Sequence, residues 1–581
     1  VYRIFCLGES STIGFPYMFN ASFSSLLRDR LAVLHPGTRI EMVNAGVTAV
    51  NSYTVADFTH EIMGYSPDLL IVYMGHNEFC GALGVGSTEM GGASRLAVRA
   101  YLSLRQFRTV QLLRSLLTMV APGAKPRFQE GKSLMEQIVR DPTIAYGSPE
   151  YETALREFRR NLLEIVETAQ DHGVPILLST LVSNLRDQPP FVPAFAPATP
   201  APLREKWEQA FREGARLEGA GDLAGAMREY GRAIGLDSSR ADAHYRLARC
   251  LERGREGAGE TGLREYVLAK DMDALRFRAS EDFNGVIRAV AAEKKVPLTD
   301  LTRAFIRESP GGVPDSTLFW EHVHPRFRGY FLMAKEFCRS MAAARFMLPA
   351  SAWRWELDRS DSVYRQMSAV TEFDEEVARL RIALLKTRWP FREPPGTFDF
   401  HPSGIVQETA WEYVNSRIGW ASAHARLGDS FLRAGNLAAA EREYFAIAKN
   451  SVYDPEYFNK AGDLQAAQAK FREAKETFTR ALEIEETQFT RARRASVELQ
   501  LAEPAEAAAD LEAALRDDEA AAEQFPPGQR VRALTMLGKA YLEQGKIPEA
   551  ETQLARLSAF APNAPETISL RAAIAAAPRS R

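Results

Sequence analysis

Two widely separated stretches of this 581-residue chain carry side chains that together could move an acyl group. Ser10 lies in Gly8-Glu9-Ser10-Ser11-Thr12-Ile13-Gly14, directly after the β-rich run of residues 1–7. A serine at the carboxyl end of a parallel strand, flanked by glycines and entering a helix, stands where α/β folds place ligands. Such a turn exposes the hydroxyl and points nearby N–H groups at a developing oxyanion. Taken alone, it also reads as a glycine-rich connection with a helix-capping serine. Far downstream, Phe319-Trp-Glu-His-Val-His-Pro325 offers an imidazole, His324, with the carboxylate of Glu321 three residues before it. In a turn or helix start that spacing lets the carboxylate orient the ring, as a general base requires.

The elements that must bring these residues together alternate between strand and helix patterns. Strands are expected at residues 1–7, 39–43, 69–74, 174–181 and 296–300, with helices around 19–34, 54–64, 151–172 and 272–293. Residues 319–330 then lead into a last helix reaching about 344. A long helical excursion is expected after residue 80, and the proline-rich residues 188–202 read as a surface connection. Continuous apolar strands alternating with helices predict a parallel sheet covered on both faces. Two strands besides the first end in chemically useful residues, at 43–51 and at Met74-Gly-His-Asn-Glu78.

A different period appears at Gly214, Ala226, Tyr230 and Ala233, followed by Ala248 34 residues after Gly214. It returns at Gly428, Ala440 and Tyr444, then at Gly462, Ala474, Phe478 and Ala481, again 34 residues on. A weaker copy at 495–514 precedes a strong one with Leu537, Gly538, Tyr541, Gly545, Ala550, Leu554, Leu557 and Pro562. Small residues that let two helices approach, with an aromatic filling the space between them, form the tetratricopeptide signature. Four C-terminal copies suffice for a solenoid with a shared core. The expected organisation is 1–205 α/β, 206–262 helical insert, 263–345 α/β, 346–415 a structured Trp- and Arg-rich linker, and 416–578 repeats. Because the insert follows the fourth strand, it is expected to cap or border the site around Ser10.

The α/β blocks together resemble the SGNH (GDSL-like) hydrolases. Gly8-Glu9-Ser10 matches the first block, Asn44-Ala45-Gly46-Val47-Thr48-Ala49 the second, Gly75-His76-Asn77-Glu78 the third, and Glu321-His322-Val323-His324-Pro325 the last. The resemblance implies a three-layer α/β/α domain, with Ser10 as nucleophile, His324 as base and Glu321 orienting it. The oxyanion would be held by the Ser10 and Ala49 N–H groups and by the Asn77 amide. Ala49 replaces the usual glycine and Glu321 the usual aspartate, and Asp315 is the other carboxylate able to serve His324. His76 is expected to line the pocket, and Phe15 and Tyr17 to pack.

The implied activity is ester hydrolysis, by a carboxylesterase or carbohydrate O-deacylase, through an acyl-enzyme and without metal or cofactor. Two alternatives keep the same residues: an O-acyltransferase, and a repeat scaffold whose hydrolase-like domain is inactive. The substrate would be an ester-bearing small molecule or glycan, and the repeats would engage a protein partner. Lys and Arg total 72 against 75 acids, a formal charge of −3, so no global field recruits nucleic acid. The four cysteines, Cys6, Cys80, Cys250 and Cys338, lack zinc-type spacing. The most apolar run, residues 68–74, is strand-sized rather than membrane-spanning. The family points to a bacterial envelope, any membrane attachment residing in a segment upstream of Val1; without one, the setting would be cytoplasmic.

Overall fold

The computed structural model describes residues 1–87, 95–104, 107–112, 143–254, 259–451, 453–520 and 524–577. The chain divides into two compact units, Val1–Ser368 with Val377–His401, and Ala369–Glu376 with Pro402–Arg581.

The first unit is built on five parallel strands: β1 Tyr2–Gly8, β2 Ile40–Gly46, β3 Leu69–Tyr73, β4 Ile176–Ser179 and β5 Leu298–Thr299. Their order is β2-β1-β3-β4-β5. β3 is buried along its whole length, as a central parallel strand with helices on both faces must be. Helices Phe23–Leu34 and Phe327–Ala343 pack together, and Pro149–Asp171 packs with Ser52–Ile62 and with Glu281–Lys294. These two groups form the outer layers of an α/β/α sandwich. The order places β1 between β2 and β3, so the connections run in opposite directions from β1. The crevice beyond the carboxyl ends of β1 and β3 is therefore the topological switch point, where α/β sheets bind ligands. Tight backbone contact defines that crevice: a Cβ on Gly8 would lie 2.0 Å from the Tyr73 carbonyl oxygen, and one on Gly46 would lie 2.4 Å from the Ile13 nitrogen.

Of the helical excursion expected after residue 80, helix Arg95–Leu104 is described, and most of the remainder lies outside the described residues. The insert is wider than 206–262. It comprises helices Ala201–Gly219, Leu223–Leu236, Ala241–Arg253 and Gly259–Asp271, because its first and last helices run unbroken through the expected boundaries. Its repeat positions act as their types require: a Cβ on Gly214 would lie 2.9 Å from the Tyr230 ring. The insert borders the carboxyl end of the sheet. Tyr245 donates its hydroxyl to the Arg186 carbonyl (2.7 Å) in the loop after β4, and Leu185 and Val313 pack with Ala248 and Tyr266.

Residues 346–415, expected as a structured linker, contribute polar and aromatic side chains to each of the two units. In the first, Asp358 pairs with buried Arg30, Arg381 donates to the Pro16 carbonyl (2.7 Å), and Phe391 reaches His322. In the second unit, consecutive helices from Ile405–Val414 to Pro565–Ala576 pack in succession. A Cβ on Gly428 would lie 2.9 Å from the Tyr444 ring, and one on Gly462 would lie 2.6 Å from Phe478. The alanines at 440, 474 and 550 are fully buried. No helix among the described residues is long and apolar enough to cross a membrane.

Candidate active site

Ser10 opens the short helix Ser10–Ile13 at the end of β1. As a first-turn residue its N–H has no acceptor within the helix and stays available. Neighbouring strands lock the turn: Thr12 Oγ1 donates to the Tyr73 carbonyl (2.8 Å), Asn44 Nδ2 to the Thr12 carbonyl (2.8 Å), and Ser11 Oγ to the Val323 carbonyl (3.2 Å). The last of these ties the turn to the loop carrying His324.

Across that junction His324 Nε2 lies 2.7 Å from Ser10 Oγ. Its other ring nitrogen, Nδ1, contacts Glu321 Oε1. Ser10, His324 and Glu321 thus form a hydrogen-bonded line from residues more than 300 positions apart. Burial works against charge on Glu321, yet His322 and His324 hold its carboxyl well below the usual range. Phe15 packs edge-on against the His324 ring at 4.7 Å, and Tyr17 accepts the Phe327 N–H (3.3 Å). Asp315 does not reach His324; it is engaged by Arg186 Nη1 (2.6 Å) and by the Thr317 N–H and hydroxyl (2.9 and 2.6 Å).

The third block is held by a residue whose part in it the sequence did not reveal. The two oxygens of buried Glu9 accept the N–H groups of Gly75 (3.0 Å), His76 (3.0 Å) and Asn77 (3.2 Å). This clamp fixes the Asn77 backbone, while the Asn77 side-chain amide has no hydrogen-bond partner among the described residues. Burial and the neighbouring Glu78 push Glu9 up to about 8, against the pull of the three N–H donors. Glu78 itself accepts the Ser52 N–H (2.8 Å) and hydroxyl (2.6 Å), and burial raises it to about 7. His76 is buried: its Nδ1 accepts the Ala279 N–H (3.3 Å), and burial with nearby His322 pushes it down to about 3. It is a neutral structural group more than a pocket surface.

The second block runs alongside the Ser10 turn. Asn44 Oδ1 accepts the Gly46 N–H (2.9 Å), and Val47 donates to the Gly8 carbonyl (3.1 Å). Ala49 follows with φ of 59°, in the left-handed conformation its usual glycine would favour. The four cysteines are free and buried.

His322 and Arg186 were not assigned roles from sequence. His322 contacts Glu321 Oε2 and is ringed by Phe191, Phe277 and Phe391. Arg186 joins the carboxyl-end side of the sheet to the insert, lying 2.7 Å from Glu252 as well as 2.6 Å from Asp315. The only sequence cue for His322 was its place beside Glu321.

A family model for the tetratricopeptide repeat matches residues 492–565. No curated protein matches the chain. Among solved structures, the chain is similar to the lipase/acylhydrolase from Enterococcus faecalis, with 12% identity over 59% of this chain and 95% of that one and a TM-score of 0.27. It is also similar to MamA from Desulfovibrio magneticus RS-1 (20% identity, 26% and 80% covered, TM-score 0.23). A third is YrrB, described as a TPR protein with an unusual peptide-binding site (18% identity, 29% and 89% covered, TM-score 0.23). With its four motif blocks gathered at one rim of a parallel sheet and its paired helices stacked on glycine–aromatic contacts, the chain resembles an SGNH (GDSL-like) hydrolase joined to tetratricopeptide repeats.

Proposed function

We propose that this protein is a serine-dependent ester hydrolase whose repeats hold a protein partner. The observation that carries the reading is the 2.7 Å contact between Ser10 Oγ and His324 Nε2, with Glu321 on the far ring nitrogen. His324 removes the Ser10 proton as Oγ bonds to the ester carbonyl carbon, and the carbonyl π pair moves onto oxygen. That oxyanion is received by the N–H groups of Ser10 and Ala49 and by the Asn77 amide. Each well-placed donor is worth about 3 kcal/mol of barrier in comparable sites. Collapse breaks the ester C–O bond, the leaving alcohol takes the proton from His324, and water repeats the cycle on the acyl-enzyme. Glu321 stabilises the imidazolium formed in each half. No step needs a metal or organic cofactor.

Turnover of p-nitrophenyl acetate by the full chain and its Ser10→Ala variant tests the reading. We expect loss of activity in the variant and a serine-bound acetyl group by mass spectrometry in the parent. Equal rates would leave the repeats as the working part and the α/β unit as a scaffold. A glycan hydroxyl in place of water would make the same site an acyltransferase; adding acetylated glycans and free acceptors to the assay separates the two outcomes.

A further inference from the structure

In the resembled motif an aspartate orients the base, whereas here Glu321 is one methylene longer and has one more rotatable bond. A carboxylate on a longer arm is harder to hold in one geometry. Its side chain is nevertheless fully buried, so both oxygens must find partners. Oε1 contacts His324 Nδ1 and receives the His324 N–H at 3.2 Å. Oε2 receives the Val323 N–H at 3.4 Å, a weak bond, and contacts His322 Nδ1.

His322 is itself immobilised. Phe191 and Phe391 stand near its ring at 5.6 Å each, and Phe277 at 5.9 Å. Its carbonyl accepts the Asn184 N–H at 2.9 Å. Phe191 belongs to the connection after β4, Phe277 follows the insert, and Phe391 lies in the Val377–His401 part of the first unit. Three separate segments thus converge on one imidazole that does not touch Ser10.

We infer that His322 is a positioning residue: by occupying the second oxygen of Glu321 it fixes the longer carboxylate arm, and through it the His324 ring against Ser10. The inference rests on the hydrolase reading above. It explains how glutamate can stand at an aspartate position without loosening the base. It also gives the Phe391 segment a part in the site, as a wall of the box that holds His322.

The test uses the full chain with two readouts: p-nitrophenyl acetate turnover, and the rate at which phenylmethylsulfonyl fluoride modifies Ser10, followed by intact mass. In the second reaction Oγ bonds to sulfur, fluoride leaves, and His324 takes the proton, so the readout reports nucleophile activation without knowledge of the natural ester. His322→Phe keeps a flat ring in the aromatic box but removes Nδ1. We expect it to slow both reactions about 100-fold, as a misplacement of about 1 Å does, with KM changed less than about twofold. His322→Asn, which keeps an N–H donor at similar reach, should recover at least about tenfold of that loss. The double variant Glu321→Asp with His322→Phe should also recover about tenfold, because the shorter arm needs no second restraint. Far-UV circular dichroism and thermal unfolding verify the fold of each variant. Wild-type rates in His322→Phe, or a loss that neither second variant recovers, would overturn the inference. An inactive Ser10→Ala beside a fully active His322→Phe sinks only this inference, whereas an active Ser10→Ala sinks the hydrolase reading with it.

Discussion

The Ala82 N–H donates to the Ala49 carbonyl at 2.9 Å, anchoring a residue whose φ is 59°. A left-handed alanine costs roughly 1 kcal/mol relative to glycine through the crowding of its Cβ. Ala49→Gly should therefore raise the unfolding free energy by up to about 1 kcal/mol, less the entropy glycine adds to the unfolded chain. Ala49→Val should lower it, since a β-branched residue tolerates this conformation worst. Urea titration of the three proteins would decide, and a destabilising glycine would show that the methyl group packs favourably.

Glu9 offers a second check. Among the described residues its carboxylate is the only hydrogen-bond partner of the N–H groups of Gly75, His76 and Asn77. Glu9→Ala leaves two buried donors and one half-buried donor unpaired, the buried ones each costing about 1–3 kcal/mol, and releases the loop that carries the Asn77 amide. Turnover should fall by roughly tenfold or more even in protein that remains folded. Retained turnover would mean that Asn77 is held in place by other contacts.

The same two carboxyls set a pH dependence. Glu9 is raised to about 8 and Glu78 to about 7 from an ordinary value of 4.5. A raised acid contributes stability below its unfolded value and loses it as pH climbs through the folded one. Lowered His76 and His322 act the opposite way up to about pH 6.5, so the stability of the first unit should decline above that, between about pH 6.5 and pH 8. Hydrogen exchange of peptides covering β1 and β3, corrected for intrinsic rates, measures this, and Glu78→Gln should flatten the slope. Rising protection over that interval would contradict it.

In the repeat unit the sign reverses in its cause but not in its direction. His424 is fully buried between Glu443, which contacts Nδ1, and Asp374, 3.4 Å from Nε2. Burial opposes its charge, but these carboxylates raise it to about 9 from 6.5. A histidine raised in this way stabilises fully below about pH 6.5 and loses that contribution as pH passes about 9. His424→Leu leaves Asp374 and Glu443 as uncompensated buried acids and should cost about 3–5 kcal/mol. Exchange of peptides from helices Trp420–Arg433 and Leu437–Asn450 reports the effect locally.

What could be read in the sequence followed from local chemistry. Ser10, Glu321 and His324 stood out by residue type and spacing, whereas Ala49 and Asn77 entered only through the family resemblance. The Gly–aromatic pairs at 214 and 230, 428 and 444, and 462 and 478 were legible for a similar reason, since the two helices of a repeat are neighbours in the chain. The clamp made by Glu9 was hidden because its acceptors lie 66–68 residues away and are backbone groups with no side-chain signature. His322 was hidden because its role needs three phenylalanines from distant segments. The fate of residues 346–415 was unreadable in the same way: proline and tryptophan broke the helical pattern without saying which surface the chain would rejoin.

The two ends of the insert meet. Pro193 and Asp273 form an antiparallel bridge, and the Asp273 carboxylate accepts the N–H groups of Phe191 (2.8 Å) and Val192 (2.9 Å). Exit and re-entry of some eighty residues are thereby sealed at a single stitch. A connection closed at that point tolerates added length at little entropic cost, since closure grows only slowly with length. The same stitch marks where a laboratory graft could exchange the helical module without changing the sheet of the α/β core.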